Sequence, residues 1–222
     1  MDIHAIIFDC DGVLIDSERI IVDTHLQVLG ELGLVYPRDV HISRFMGIHN
    51  RDYHAALAAD AKARGIDWPE DVPARLRSRT WARYKTELQP TEGVAAFAER
   101  LSCPMAVASS SETESLNTKL RMTGLHGLFS PHIYSGDLVD HGKPAPDLFL
   151  YAARQLGTDP ARCLVIEDSP NGVKAGRAAG MTVVGFTGGG HVDAGLEARL
   201  GEAGAHMMAA SFKDLGARLA RR

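Results

Sequence analysis

A chain of 222 residues, 45% of them hydrophobic, can fill one large domain with a core, or a domain with a smaller companion. Its formal net charge of −4, with Lys and Arg scattered along the chain, provides no basic field and argues against nucleic acid as a partner. Three cysteines without a C-x-x-C spacing read as reduced thiols, and the start MDIHAIIFD reads as neither signal peptide nor membrane span, so a cytoplasmic protein with no membrane contact is expected.

The first predicted element is a strand over Ala5–Phe8, a continuous apolar run suited to a parallel sheet buried on both faces. It ends abruptly in Asp9 and Asp11. Side chains alternate along extended chain, so both carboxylates are expected on one side, with Cys10 pointing away. Like charges in one small space repel, and an unpaired buried charge is costly, so something must offset them. Gly12 suits a tight turn out of the strand.

From about residue 17 to 85 no strand pattern occurs. Helices are predicted over roughly Ser17–Glu31, Arg51–Arg64 and Pro73–Lys85, punctuated by Gly33, Gly47, Gly65 and Pro69. A crossover needs only one helix. The excess predicts an all-helical cap domain over residues 16–86, inserted into an α/β core made of residues 1–15 and 87–222. The connections near Ile15–Ser17 and Thr86–Pro90 would be its hinges. Arg44, His49, Asn50, Arg51 and His54 lie close together in the cap and suit a hydroxylated, acidic small molecule.

The rhythm then becomes strand and helix in alternation. A helix is predicted from Glu92 to Leu101, then a strand over Met105–Ala108. A helix follows Glu112, with Leu116 and Leu120 on one face and Gly124 as its stop. A weaker strand, His132–Ser135, precedes a helix from an Asp147 N-cap to about Gly157. Strand Cys163–Ile166, helix Asn171–Gly180 with a small face of Ala175, Gly176 and Ala179, and strand Thr182–Phe186 complete the series. The GGGH at Gly188–His191 lacks the G-x-G-x-x-G spacing and reads as a short flexible loop after a strand. Met105, Met122, Met181, Met207 and Met208 read as packing. The alternation predicts a doubly wound, Rossmann-like parallel sheet.

In open α/β sheets ligands bind beyond the carboxyl ends of the strands. Asp9 and Asp11 follow the first strand, Ser109 ends the second, and Glu167 and Asp168 follow CLVI. Lys143 sits in GKPAPD, a loop stiffened by Pro144 and Pro146. Four carboxylates against one ammonium need another cation. A hard divalent ion such as Mg²⁺ fits, because it takes a few carboxylates together with phosphate oxygens. Each piece alone is ordinary: a D-x-D is commonly a cap or turn, a lone Lys a surface charge. Their joint arrival at successive strand ends carries the reading.

Together, DCDGVLIDSE, ASSS, GKPAPD and VIEDSPNGVKAGRAAGM resemble the haloacid dehalogenase superfamily. More narrowly they resemble its phosphatases and phosphomutases with a helical cap, the β-phosphoglucomutase-like group. The resemblance spans nearly the whole chain. It implies Asp9 as a nucleophile that forms an aspartyl-phosphate, and Asp11 as general acid and base. A carboxylate of ordinary pKa is already ionised at pH 7, so the nucleophile needs no activating base. The resemblance also implies that Ser109 and Lys143 hold phosphoryl oxygens. Mg²⁺ would be bound by Asp9, Asp168 and the Asp11 backbone carbonyl, with Glu167 in or beside that set. Ser110, Arg44, His49, Asn50 and Arg51 are the candidate substrate contacts.

Asp11 separates the chain from the dehalogenases, whose halide leaves without a proton. Phosphonate-cleaving relatives use a cap lysine that SERIIVDTHLQVLGELG lacks. Against the phosphomutase pattern, Asn50 stands three residues after Gly47 in place of Arg, Glu112 in place of Lys, and Ile21 in place of His, although Arg51 and His25 lie nearby. Fewer cations weaken a second phosphate site. The expectation is a monomeric Mg²⁺-dependent phosphatase for a small phosphorylated metabolite, a sugar phosphate or a phosphosugar acid of the 6-phosphogluconate type. A sugar phosphomutase is the alternative, and Asp11 disfavours a non-enzymatic phospho-aspartate module.

Overall fold

The computed structural model describes residues 2–45, 50–190 and 192–220, the side chains of residues 50 and 51 excepted. Six strands among them form one parallel sheet. They are β1 (Ala5–Phe8), β2 (Met105–Ser109), β3 (Ile133–Ser135), β4 (Cys163–Glu167), β5 (Thr182–Phe186) and β6 (Met207–Ala209). Their order, β3-β2-β1-β4-β5-β6, reverses at β1, which places the crevice of the sheet at its carboxyl end. Phe8 pairs with Val107 on one side and Ile166 on the other. One step further along, Asp9 comes level with Ala108 and Glu167.

Both faces of the sheet are covered. Ile6 and Phe8 point to one face, where they pack with α5 (Val94–Ala98), α6 (Thr113–Met122), α7 (His126–Phe129) and α11 (Phe212–Ala220). Phe8 meets the rings of Phe97, Phe129 and Phe212 at centroid distances of 6.2, 5.4 and 6.4 Å. Burying one such ring is worth about 1.5–3 kcal/mol. Ala5 and Ile7 point to the other face, against α8 (Asp147–Gln155), α9 (Pro170–Ala178) and α10 (Leu196–Glu202). The small face of α9 is needed there: a Cβ on Gly176 would fall 2.7 Å from Val183.

Three expectations change. Asp147 is the first residue of α8 and makes no cap bond to it; Pro146 holds the cap position, and the carboxylate faces His141 Nδ1 at 3.2 Å. Met122, expected in packing, is 38% exposed at the end of α6. The Gly-rich loop after β5 is tied down, with the Gly190 amide donating to Asp16 Oδ1 at 3.1 Å. Cys10 and Cys163 are buried, Cys103 is partly so, and all three are free thiols. No helix among the described residues is long and apolar enough to cross a membrane.

Between β1 and β2 lie α1 (Ser17–Glu31), α2 (Arg38–Phe45), α3 (Asn50–Ala63) and α4 (Val72–Glu87). They enclose an apolar cluster of their own, including Leu29, Leu34, Phe45, Tyr53, Leu57 and Leu76. The two connections to this helical insertion run side by side. Asp16 N donates to Gln89 O at 3.1 Å and Thr91 N to Leu14 O at 2.9 Å. Because α4 continues to Glu87, the second connection begins at Leu88.

The insertion also buries histidines. The Tyr53 hydroxyl lies 2.7 Å from His25 Nδ1 and 3.2 Å from His41 Nε2. Burial pushes His25 down to about 3 and His41 down to about 4. An unfolded histidine titrates near 6.5. Below that pH the unfolded chain takes up protons that the folded chain refuses, so this stability is full above pH 6.5 and is lost as pH falls toward 4. For His41 the loss at pH 5 is about 2 kcal/mol. Urea melts of wild type and His41→Gln at pH 7.5 and pH 5 should show the gap between them narrowing by that amount; an unchanged gap rules the argument out.

Candidate active site

Two ammonium groups and a set of carboxylates converge beyond the ends of β1, β2 and β4. Lys143, in the loop before α8, donates to Asp9 Oδ1 at 2.5 Å, to Glu167 Oε1 at 2.7 Å and to the Ala108 carbonyl at 2.9 Å. Its three N–H bonds are thereby all engaged, and its ammonium lies over the Phe149 ring, 4.8 Å from the centroid. The other Glu167 oxygen accepts from Ser169 N at 2.8 Å and Ser169 Oγ at 2.9 Å. Ser169 in turn caps α9 by accepting from Gly172 N at 3.0 Å. Gly172 has no room for a side chain, since a Cβ would sit 1.7 Å from Glu167 Oε1. The SPNG turn thus forms a cradle for Glu167, and Glu167 aims Lys143.

Asp11 is held differently. It lies beyond β1, after which the chain turns through Gly12 at φ +81°. Its Oδ1 accepts from Ser17 Oγ at 2.7 Å and from Lys119 Nζ at 2.5 Å. Its Oδ2 accepts from Ser111 Oγ at 2.8 Å and from the same ammonium at 2.6 Å. Lys119 comes from α6, on the face of the sheet opposite α8. The two carboxylates expected to share one space are therefore served from opposite sides by separate lysines. Each lysine lowers the carboxyl it holds and so opposes that repulsion.

The electrostatics follow from burial against these partners. Burial pushes Asp9 up to about 7; Lys143 opposes the rise, while the charges of Glu167 and Asp11 add to it. The expected ordinary carboxylate is thus corrected: in the protein alone, burial brings Asp9 into the range where its neutral form competes at pH 7. Burial likewise drives Asp168 well above the usual range, reinforced by Glu167, Asp9 and Glu18. For Asp11, burial is outweighed by Lys119, Ser17 and Ser111, and the carboxyl lies below its ordinary value. Glu18, in the first turn of α1, is pushed up to about 8 by burial and by Asp11 and Asp9.

Asp9, Asp11, Lys143, Glu167 and Asp168 come together as predicted neighbours. Ser109 is buried at the end of β2, where its Oγ accepts from Ser111 N at 3.1 Å. Ser110 is exposed. Arg44 is engaged within the insertion: its nitrogens reach the two oxygens of Asp60 at 2.5 and 2.8 Å, and its guanidinium covers the Phe45 ring. His49 lies outside the described residues. Asn50 and Arg51 begin α3, and their side chains lie outside the description. His54 packs its ring on Tyr53.

Sequence reasoning missed Ser17, Glu18, Ser111 and Lys119. For Lys119 a signal existed: it stands at i+3 from Leu116 and one residue before Leu120, inside the apolar stripe of a helix.

The donor set suits a hard cation. Asp9, Asp11, Glu167, Asp168 and Glu18 outnumber Lys143 and Lys119, and burial raises Asp9, Asp168 and Glu18 above the ordinary carboxylate range. No three His, Cys, Asp or Glu side chains among the described residues form a metal-binding group by themselves. Mg²⁺ asks for no such group, taking one or two carboxylates with water and phosphate oxygens.

Comparison with known proteins shows the family. The family described as haloacid dehalogenase-like hydrolase matches residues 6–186. The 6-phosphogluconate phosphatase of Escherichia coli (strain K12) is 26% identical over 83% of this chain and 82% of its own length. The fructose-1-phosphate phosphatase of the same strain is 32% identical, over 81% of this chain and 94% of its own length. A hydrolase of Deinococcus radiodurans R1, solved with bound phosphate and sodium, superposes with a TM-score of 0.86 at 38% identity, covering 99% of this chain and 96% of that one.

Proposed function

Since the chain belongs to the haloacid dehalogenase-like hydrolases, and is within them a phosphoric monoester hydrolase, we propose that it cleaves a sugar phosphate or a phosphosugar acid of the 6-phosphogluconate type through a phosphate ester of Asp9, with Mg²⁺ as cofactor. The observation that carries the reading is the division of cations, Lys143 on Asp9 and Lys119 on Asp11. It gives two carboxylates in one site separate partners; their shifts in the protein alone, Asp9 up and Asp11 down, run opposite to nucleophile and acid, and a cation on Asp9 with a phosphate dianion beside Asp11 would reverse both.

Asp9 attacks phosphorus in line, and the bond to the sugar oxygen breaks. Asp11 gives that oxygen a proton and later takes one from the water that opens the aspartyl-phosphate, transfers worth roughly 10²–10⁴ in rate. Lys143 holds the Asp9 oxygen in place and presents charge to the phosphoryl group. Ser109, at the end of β2, supplies a hydroxyl to the same group. Mg²⁺, held by Asp9, Asp168 and the Asp11 backbone carbonyl, would supply the charge that lets a phosphate dianion approach an anionic nucleophile. Both Glu167 oxygens are already committed to Lys143 and Ser169, which favours an orienting role over direct ligation. Residues 16–86 act as a cap that swings on the paired connections and excludes water over the bound substrate.

A phosphate-release screen over sugar phosphates and phosphosugar acids, including 6-phosphogluconate and fructose 1-phosphate, tests this. Release should require added Mg²⁺ and stop with EDTA. Isomer formation dependent on a sugar bisphosphate, without net phosphate, would replace this reading with the phosphomutase, and release indifferent to EDTA removes the metal from it.

A further inference from the structure

We propose that Lys119 is a positioning residue for the hydrolysis: by gripping both oxygens of Asp11 it aims that carboxyl at the leaving oxygen of the substrate. The proposal rests on the reading of Asp11 as the proton donor given above.

Lysine is almost never fully buried without a partner. Lys119 is 4% exposed, inside the stripe that α6 packs on the sheet through Leu116 and Leu120. A methionine or leucine there would fill the stripe without desolvating a charge, so packing alone does not explain a lysine. Its ammonium reaches Asp11 Oδ1, Asp11 Oδ2 and Ser111 Oγ at 2.5, 2.6 and 2.9 Å. The other two contacts on Asp11 are hydroxyls, from Ser17 in the insertion and Ser111 after β2. A hydroxyl rotates and can accept as readily as donate, so it does not hold a carboxyl plane in one orientation. The ammonium spans both oxygens and does. It can keep one oxygen while the other carries the proton. Lys143 already serves Asp9, Glu167 and the Ala108 carbonyl, so the nucleophile has its own cation. In the step itself Lys119 neither gains nor loses a proton. A bond forms from an Asp9 oxygen to phosphorus, the bond from phosphorus to the leaving oxygen breaks, and the proton on Asp11 moves to that oxygen.

A positioning role of this kind depends on the leaving group. Benzyl phosphate expels an alkoxide, which needs the proton; 4-nitrophenyl phosphate has similar bulk and expels a stable phenolate, which hardly does. The ratio kcat/KM reports only the steps through departure of the leaving group, so slow opening of the aspartyl-phosphate does not obscure it. With Mg²⁺ present throughout, Lys119→Met should lower kcat/KM by roughly 10²-fold for benzyl phosphate and by less than about 3-fold for 4-nitrophenyl phosphate. Lys119→Arg should recover most of the benzyl phosphate activity. Because Lys119 works through Asp11, Asp11→Asn should show the same selective loss, and adding Lys119→Met to it should lower the rate no further.

Equal losses on both substrates, no loss on either, or losses that multiply with those of Asp11→Asn overturn the proposal. If Lys119→Met gives no cooperative melt, Lys119→Gln decides in its place. It keeps a polar end but loses the ammonium that spans both Asp11 oxygens, and a loss confined to benzyl phosphate is expected, an unselective loss or none being contrary. Should Asp11→Asn itself treat the two substrates alike, it is the acid assignment that fails. Should Asp11→Asn discriminate where Lys119→Met does not, only the role of Lys119 fails.

Discussion

Asp9→Asn should abolish phosphate release while leaving the protein as stable as the wild type, or slightly more so. The amide has the shape of the carboxylate and offers Lys143 Nζ an acceptor at the position Asp9 Oδ1 holds now. What it lacks is an anionic oxygen able to bond to phosphorus. Removing a covalent nucleophile while the rest of a site stays intact costs about four orders of magnitude or more in turnover. The stability side follows from burial. The fold pushes Asp9 up to about 7, which says that its negative charge is disfavoured where it sits. A neutral amide relieves that, and a nearby excess of carboxylates gains as well. Turnover of 4-nitrophenyl phosphate and a urea melt on the same preparation check both halves. Activity within tenfold of wild type, in protein free of deamidated side chain, would refute the nucleophile assignment; lost activity with a lost melt would show that Asp9 holds the fold instead.

The parts of this molecule legible in its sequence are those governed by short-range rules. AIIF, MAVAS, CLVIE and TVVGF are fully or nearly fully buried along their length, and a strand covered on both faces must read as an unbroken apolar run. β6 spans three residues, Met207–Ala209, too few for any pattern. The eight-residue α2 has Val40 facing solvent, which breaks its stripe. At the site, the residues at strand ends were legible because topology dictates where such residues go: Asp9, Ser109, Glu167 and Asp168 follow runs that could only be central strands. Which serine of Ser109–Ser111 would reach Asp11 could not be read in the same way. That depends on how the chain leaves β2, and Ser111 makes the contact from 100 positions away. Alternation alone does not place Asp11. It holds only while the chain is extended, and β1 stops at Phe8. Beyond it, position is set by the turn at Gly12, by Ser17 and by Lys119. The expected contact from Arg44 had a further competitor invisible to local reading, the carboxylate of Asp60, sixteen residues on.

Lys143→Met should be the most damaging single change to stability in the core as well as to catalysis. Its ammonium is all that stands between the carboxylates of Asp9 and Glu167, whose side chains are 10% and 1% exposed. Methionine fills the space over Phe149 but leaves buried Glu167 without its donor, while Asp9, whose rise Lys143 opposes, is driven further toward its neutral form. Removing one partner of a buried ion pair costs about 3–5 kcal/mol. Catalysis loses the group that aims Asp9 and meets the phosphoryl oxygens, a further factor of about 10²–10³ or more. These two losses have different origins, and a second substitution separates them. Adding Glu167→Gln to Lys143→Met removes the stranded charge, and its amide oxygen still suits the Ser169 donors that now hold Glu167 Oε2. The double variant should therefore regain much of the stability lost, while turnover stays low because nothing restores the cation at Asp9. Urea melts and phosphate release on the two variants are the measurement. If Lys143→Met melts like the wild type, the carboxylates around it were never held together by that ammonium. If turnover returns with stability in the double variant, Lys143 serves the fold alone.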